Sequence, residues 1–164
     1  MEKGQFCFLN DQYYIDFPDK YLMRNKEIIS GAYYDRPCFF VFSDNKTKGI
    51  LWLVPISSKY EKYKVEFDKK VAKHGRCNTI RFGNVLGVRA AFLIQNMCPI
   101  TTEYIREIYV DKNNMPVQID NRTIQDVVSN AREVIEKTFR GAVLIFPDVK
   151  AIYEILQQRL NGKN

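Results

Sequence analysis

Histidine is almost missing from this chain: His74 is the only one among 164 residues. Acid–base nuclease chemistry built on two histidines is therefore closed to a single copy, as are metal sites made of several imidazoles. A Ser-His-Asp hydrolase would have to use His74, yet no G-x-S-x-G elbow is present to carry its serine. Neither G-x-x-x-x-G-K-[ST] nor G-x-G-x-x-G occurs, so NTPases and nucleotide-cofactor enzymes drop out and no cofactor is expected. Gly83-Asn84-Val85-Leu86-Gly87 has the wrong spacing for a phosphate loop and reads as a turn between strands. Close cysteine pairs are also missing. Cys7, Cys38, Cys77 and Cys98 are scattered singly, which argues against a zinc site and for buried, reduced thiols. No run of about 18 apolar residues occurs, and the first residues lack a signal-peptide core, so a cytoplasmic protein that does not enter a membrane is expected.

What is present is positive charge mixed with aromatic rings. Lys and Arg outnumber Asp and Glu by 25 to 19, and ten Tyr and eleven Phe accompany a single Trp. Cations track phosphates and rings stack on unpaired bases, so this mixture suits single-stranded nucleic acid. Phe also fills cores and many basic proteins bind no nucleic acid, so composition alone does not decide the matter.

The pattern is β-rich first and helical at the end. Gln12 to Phe17 reads as a strand, followed from Pro18 by a charged, helical connector through Glu27. Cys38 to Phe42 and Ile50 to Ile56 read as two strands of a hairpin, joined by turn chemistry over Ser43 to Gly49. Tyr60, Tyr63, Phe67 and Val71 then fall at helical spacing, with Ser58 as N-cap and Gly75 as the stop. Thr79 to Phe82 and Ala90 to Gln95 read as strands with Gly83 and Gly87 in their turn. Thr101 to Ile108 reads as a short helix and Met115 to Ile119 as a strand. Asp120 or Asn121 caps a long amphipathic helix with Ile124, Val127, Val128, Ala131, Val134 and Ile135 on one face. Asp148 to Leu160 makes a last helix with Ile152, Ile155, Leu156 and Leu160 inward. No linker or repeat interrupts residues 1–164, so the expectation is one α+β domain, a compact antiparallel half-barrel with peripheral helices.

One stretch carries chemistry. In Val54-Pro55-Ile56-Ser57-Ser58-Lys59, two hydroxyls and a lysine stand where an apolar strand meets a helix start. Helix N-termini expose backbone N–H groups and partial positive charge, so Ser57, Ser58 and Lys59 can complete a phosphate cradle there. Against this stands a simpler reading, in which Ser58 caps the helix and Lys59 is merely solvated. Hairpin geometry adds to the first reading. The segment before Cys38 and the segment after Ile56 lie at the same end of the sheet, bringing Tyr34 and Arg36 near Ser58 and Lys59. Tyr34 could equally be surface packing, with Arg36 paired to Asp35.

The Pro55-Ile56-Ser57-Ser58-Lys59 turn, with Tyr34 and a basic residue upstream, resembles the type III toxin family of ToxN, AbiQ and CptN. The resemblance is closest to the CptN branch. It extends through Tyr14-Ile15-Asp16, Arg36-Pro37-Cys38-Phe39, Leu51 to Lys64, Asn78 to Gly83, Ala91 to Met97 and Pro116 to Asp120. The family resembles MazF and Kid in fold. Its members are metal-independent endoribonucleases held inactive by a small pseudoknot RNA. By that resemblance Ser57 and Ser58 occupy the family's hydroxyl positions. Lys59 stands for its lysine, although it follows Ser58 directly where the family has an intervening residue, which makes Lys62 a second candidate. Tyr34 (with Tyr33 adjacent) matches the upstream Tyr, and Arg36 substitutes for the basic residue before the strand.

What the resemblance implies is transphosphorylation of single-stranded RNA. The 2′-hydroxyl attacks its neighbouring phosphate, leaving a 2′,3′-cyclic phosphate and a free 5′-hydroxyl. Lys59 and Arg36 would stabilise the developing charge while Ser57 and Ser58 hold the phosphate. A general acid and base are still required; Tyr34 and His74 are the side chains considered, though Tyr normally titrates near pH 10. Lys62, Lys64, His74, Arg76 and Arg81 are the expected RNA-binding residues, for substrate and for a pseudoknot antitoxin in a heteromeric protein–RNA assembly. The alternative is a non-catalytic RNA-binding regulator.

Overall fold

The computed structural model describes residues 1–25, 27–29 and 31–162, with only the backbone of 27–29, 32 and 33. Its centre is the hairpin that the two apolar runs and the turn residues between them predict. β4 (Cys38–Ser43) and β5 (Leu51–Ser57) pair antiparallel with Cys38 opposite Pro55 and Ser43 opposite Leu51, and a bulge falls between Phe40 and Phe42. Every residue of β5 is buried, which explains its unbroken apolar run.

β5 divides its outer edge between two partners. Its first half, Leu51 to Leu53, pairs with β8 (Cys98–Ile100), and its last residues, Ile56 and Ser57, pair with β7 (Val88–Phe92). β7 continues to β6 (Arg81–Val85). On the other side β4 pairs with β1 (Phe6–Leu9) and β1 with β9 (Ile105–Ile108). The result is an open, seven-stranded antiparallel sheet in the order β6-β7-β5-β4-β1-β9, with β8 beside β5. Phe39 on β4 meets Phe92 on β7 across β5 with ring centroids 5.4 Å apart. A small separate hairpin joins β2 (Glu27–Ile29) to β3 (Ala32–Tyr34).

Helices cover the sheet. α2 (Tyr60–His74) lays Tyr63, Phe67 and Val71 on a small cluster with Cys77, Ile80, Ala91 and Leu93, and ends at Gly75 in the left-handed conformation at φ 77°. α3 (Asn121–Phe139) buries Val127, Ala131 and Val134, and Ile124, Val128 and Ile135 pack beside them, on the face its periodicity predicts. α4 (Val149–Asn161) buries Ile152 and Leu156, but Ile155 is 40% exposed and faces away from the core. All four cysteines are buried, and burial pushes the Cys7 and Cys98 thiols up to about 12.

Several local expectations give way. Gln12–Asp16 is a short helix, α1, not a strand. Tyr13 and Phe17, four apart, are buried while Ile15 is 67% exposed, so the stretch obeys helical spacing. Residues 18–25 form turns rather than a helical connector. Thr101–Ile108 is one 3-10 turn followed by β9, because β1 takes that segment as its outer partner. Met115–Ile119 forms only a single bridge, Val110 to Pro116. Gly83 lies inside β6 opposite Ala90, not in the turn. A Cβ there would meet Thr123 Cγ2 at 2.5 Å, so glycine is needed where α3 begins against the strand.

Candidate active site

The C-terminal end of β5 and the approach to β4 form the floor of one cleft. The Ile56 N–H donates to the Pro37 carbonyl at 3.2 Å, which fixes the two segments side by side. Arg36 Nη1 donates to the Ile56 carbonyl at 2.9 Å, so the guanidinium is anchored next to Ser57. The cleft encloses about 560 Å³, and Tyr34, Arg36, Ser57 and Ser58 all line it. Residues separated by more than twenty positions thus meet as the hairpin geometry predicts.

The two serines differ. Ser57 is 6% exposed, paired with Ala91 in the sheet, and its Oγ accepts the Lys59 N–H at 3.3 Å. Ser58 is exposed, and among the described residues its hydroxyl makes no hydrogen bond. The capping expectation for Ser58 is corrected: the N-cap position of α2 is Lys59 and no side chain caps it. The reason is local. The Tyr60 N–H turns back to the Ser58 carbonyl at 2.8 Å, so the helix starts one residue later than the pattern suggests. Ser58 is left facing the cleft beside the positive end of a helix dipole.

Asp35 completes the polar lining. Its carboxylate accepts from Arg106 Nη2 at 2.6 Å, which orients it at the cleft wall. Sequence reasoning treated Asp35 only as a partner for Arg36, because nothing in the order of residues reveals that β9 carries Arg106 to it. Asn25, Tyr109, Leu86 and Val88 are further lining residues that sequence reasoning did not single out. The signal for Leu86 and Val88 was present, as two apolar residues flanking a turn glycine, but Leu86 was read only as part of the turn from Gly83 to Gly87. Tyr33 contributes its backbone to β3; its side chain lies outside the described residues.

The expected RNA-binding residues are dispersed. Lys59 is exposed at the start of α2, next to the cleft, and Lys62 follows with its Nζ 5.2 Å from the Tyr63 ring centre. Lys64 pairs with Asp68 at 2.5 Å. Arg76 pairs with Glu133 at 2.5 Å, and Arg81 with Asp126 at 2.7 Å while also donating to the Cys77 carbonyl, so both tie α3 to the rest of the fold. His74 ends α2. At 1.5 Å per residue that is roughly 21 Å from Tyr60, too far for the imidazole to exchange a proton in the cleft. Neither Lys59 nor any of the five expected RNA-binding residues, Lys62, Lys64, His74, Arg76 and Arg81, lines it.

Chemically, the cleft offers a fixed cation, two hydroxyls, a helix start and an oriented carboxylate around a space the size of a nucleotide. Such a set holds an anion and can stabilise further negative charge on it. No protein-family model matches the chain, and no curated protein matches it either. Among solved structures it is similar to AbiQ, described as a lactococcal anti-phage endoribonuclease belonging to the type-III toxin–antitoxin system, with a TM-score of 0.67 and 13% identity over 99% of this chain and 100% of that one. The likeness establishes a shared fold across the whole length.

Proposed function

We propose that this protein is the endoribonuclease toxin of a type III toxin–antitoxin system, acting in the cytoplasm on single-stranded RNA and held inactive by a small pseudoknot RNA. The observation that carries the reading is the convergence of Tyr34, Arg36, Ser57 and Ser58 on one cleft, in a chain that shares its fold with a nuclease of that kind. The Ser57–Lys59 turn that resembles the ToxN and CptN sequences falls at the same place.

In the proposed reaction the scissile phosphate sits at the start of α2, against Ser58 and the anchored Arg36. The RNA 2′-oxygen forms a bond to phosphorus and the 5′-oxygen leaves, giving a 2′,3′-cyclic phosphate and a 5′-hydroxyl. The leaving 5′-oxygen takes up a proton and the attacking 2′-hydroxyl loses one, so no water or metal enters the balance. Arg36 and Lys59 stabilise the extra charge of the five-coordinate phosphorus, and the Ser58 hydroxyl donates to a non-bridging oxygen. Asp35 and Tyr34 are the groups on the cleft wall for proton transfer. Lys62 lies one helical turn beyond Ser58 and guides the strand. The antitoxin RNA occupies the same cleft, so inhibition and catalysis share one surface.

The deciding experiment incubates wild-type protein and Ser58→Ala with end-labelled RNA in EDTA and maps cut sites and end groups. Cyclic phosphate ends in the wild type, lost in the variant, are the expected result. Ends bearing a 3′-hydroxyl would overturn the mechanism. Binding without cutting, after copurified RNA is removed, would replace the enzyme by an RNA-binding regulator. Phe and Asn replacements at Tyr34 and Asp35 then identify the proton acceptor.

A further inference from the structure

The hairpin between β6 and β7 ends in a two-residue loop, Leu86-Gly87, with Val85 directly opposite Val88. Both loop residues have positive φ, 50° at Leu86 and 80° at Gly87. Such turns take Asn, Asp or Gly at the first position, where a leucine is strained by its own Cβ. The strain gains nothing for the core, because the Leu86 side chain is 55% exposed and Val88 beside it 56%. Two apolar side chains are thus held out in water at the tip, one of them against local preference, and both line the cleft that holds Arg36, Ser57 and Ser58.

We propose that Leu86 and Val88 form the seat of one unpaired nucleobase, the base adjacent to the phosphate held at Arg36 and Ser58. This inference rests on the nuclease reading of the cleft and specifies its substrate. Charge complementarity selects the occupant. The floor carries the Arg36 guanidinium and two serines, with the Asp35 carboxylate already held by Arg106 at the wall, while the tip is apolar, in a chain of net charge +6. Single-stranded RNA presents the same pairing, an anionic phosphate joined through a sugar to a flat, largely apolar base face. A duplex keeps its base faces stacked inside and cannot present one. Val88 stands four residues along β7 from Phe92, the partner of Ile56 whose carbonyl holds Arg36, or roughly 13 Å. Val88 shares a sheet face with Ala90, which also lines the cleft. Tyr34, 54% exposed and in the same lining, supplies an aromatic surface for the base.

The test compares two non-cleavable strands of equal length, a 2′-O-methyl oligonucleotide bearing all four bases and its fully abasic counterpart. Wild-type protein should bind the base-bearing strand about tenfold more tightly. In Leu86→Asn and in Val88→Thr that gap should shrink to about threefold or less, with affinity for the abasic strand retained. Asn suits the left-handed conformation, so Leu86→Asn should hold or raise the melting temperature, which separates a lost contact from a damaged fold. Equal wild-type affinity for the two strands, or an undiminished gap in both variants, would overturn the proposal. A wild-type dimer abolished by both substitutions, with no gap between strands, would assign the tip to self-association and overturn it equally. A gap lost in the variants, in a protein that cuts no RNA, would support the base seat while the nuclease reading failed.

Discussion

The two ends of the β4–β5 hairpin are built from similar materials and put them to opposite ends. At the turn, Asp44 accepts from Trp52 Nε1 at 3.1 Å, from the Tyr153 hydroxyl at 2.9 Å and from the backbone of Lys46 and Thr47. Thr47 Oγ1 bonds the same Tyr153 hydroxyl and receives Gln157 Nε2. A cleft of about 700 Å³ lies there, larger than the one at the other end, and among its lining residues Asp44 is bonded to Tyr153 and Glu136 to Arg140. At the far end Ser58 is exposed and bonded to no described residue, α2 starts without a side-chain cap, and Leu86 is strained and solvated. Cavity size does not separate the two. An exposed serine hydroxyl bonded to no described residue, beside an uncapped helix start and a strained turn, does, and that combination is the pattern of a working site.

Substitutions at the two ends should therefore fail differently. Ser58→Ala should lower cleavage roughly 10²–10³-fold, the usual cost of one donor to developing charge, with no loss of melting temperature. A fall in stability would mean that Ser58 is structural after all. Asp44→Ala should do the reverse. It strands Trp52 Nε1 and leaves the Tyr153 hydroxyl with Thr47 alone, which costs about 2 kcal/mol, while RNA cleavage per folded molecule stays at the wild-type level. Denaturant titration with a parallel cleavage assay reads both. The pH dependence follows from the same carboxylate. Burial raises the Asp44 pKa, but the hydrogen bonds from Trp52, Thr47, Tyr153 and Lys46 together hold it below the usual carboxylate value. A depressed folded-state pKa contributes stability above the unfolded value near 3.9 that is lost as pH falls through the folded one. Wild-type protein should thus lose stability on acidification below about pH 4, and Asp44→Ala should lose less over the same interval.

How legible these features were in the sequence depends on the range of the interactions that decide them. The hairpin, α2, α3 and α4 follow from periodicity, turn residues and caps, all set within a few positions. The pairing of Arg36 with the end of β5 was also readable, since antiparallel strands return to where they began. β1 and β9 were not. Phe6–Leu9 looks like any short apolar run, and Ile105–Ile108 becomes a strand only because β1 offers an edge a hundred residues away. In the cleft, Asp35 depends on Arg106, and Leu86 depends on a backbone angle that its identity argues against. Sequence names the reactive residue types near a turn. It does not say which of them the rest of the fold has already claimed.

Gly83 tests a contact of that long-range kind. Gly83→Ala must push Thr123 or Phe92 aside, and overpacking of this sort costs about 2 kcal/mol. Neither Gly83 nor Thr123 lines the cleft, so the loss should appear in denaturant midpoint and not in the abasic-strand comparison.

The smallest expected effect isolates the helix starts. Asp120 caps α3, accepting the Thr123 N–H at 2.9 Å and the Thr123 hydroxyl at 2.7 Å, and Asp148 accepts the Ala151 N–H at 3.1 Å to cap α4. α2 has no counterpart. Asp120→Ala should therefore lower the denaturant midpoint slightly, whereas Ser58→Ala, one residue before the N-cap position of α2, should cost nothing measurable. Equal losses from the two would show that Ser58 caps α2 in solution, and the anion cradle would lose its donor. A loss confined to Asp120→Ala would mean that, of its three long helices, the chain closes the starts of α3 and α4 with carboxylates and leaves that of α2 for a phosphate.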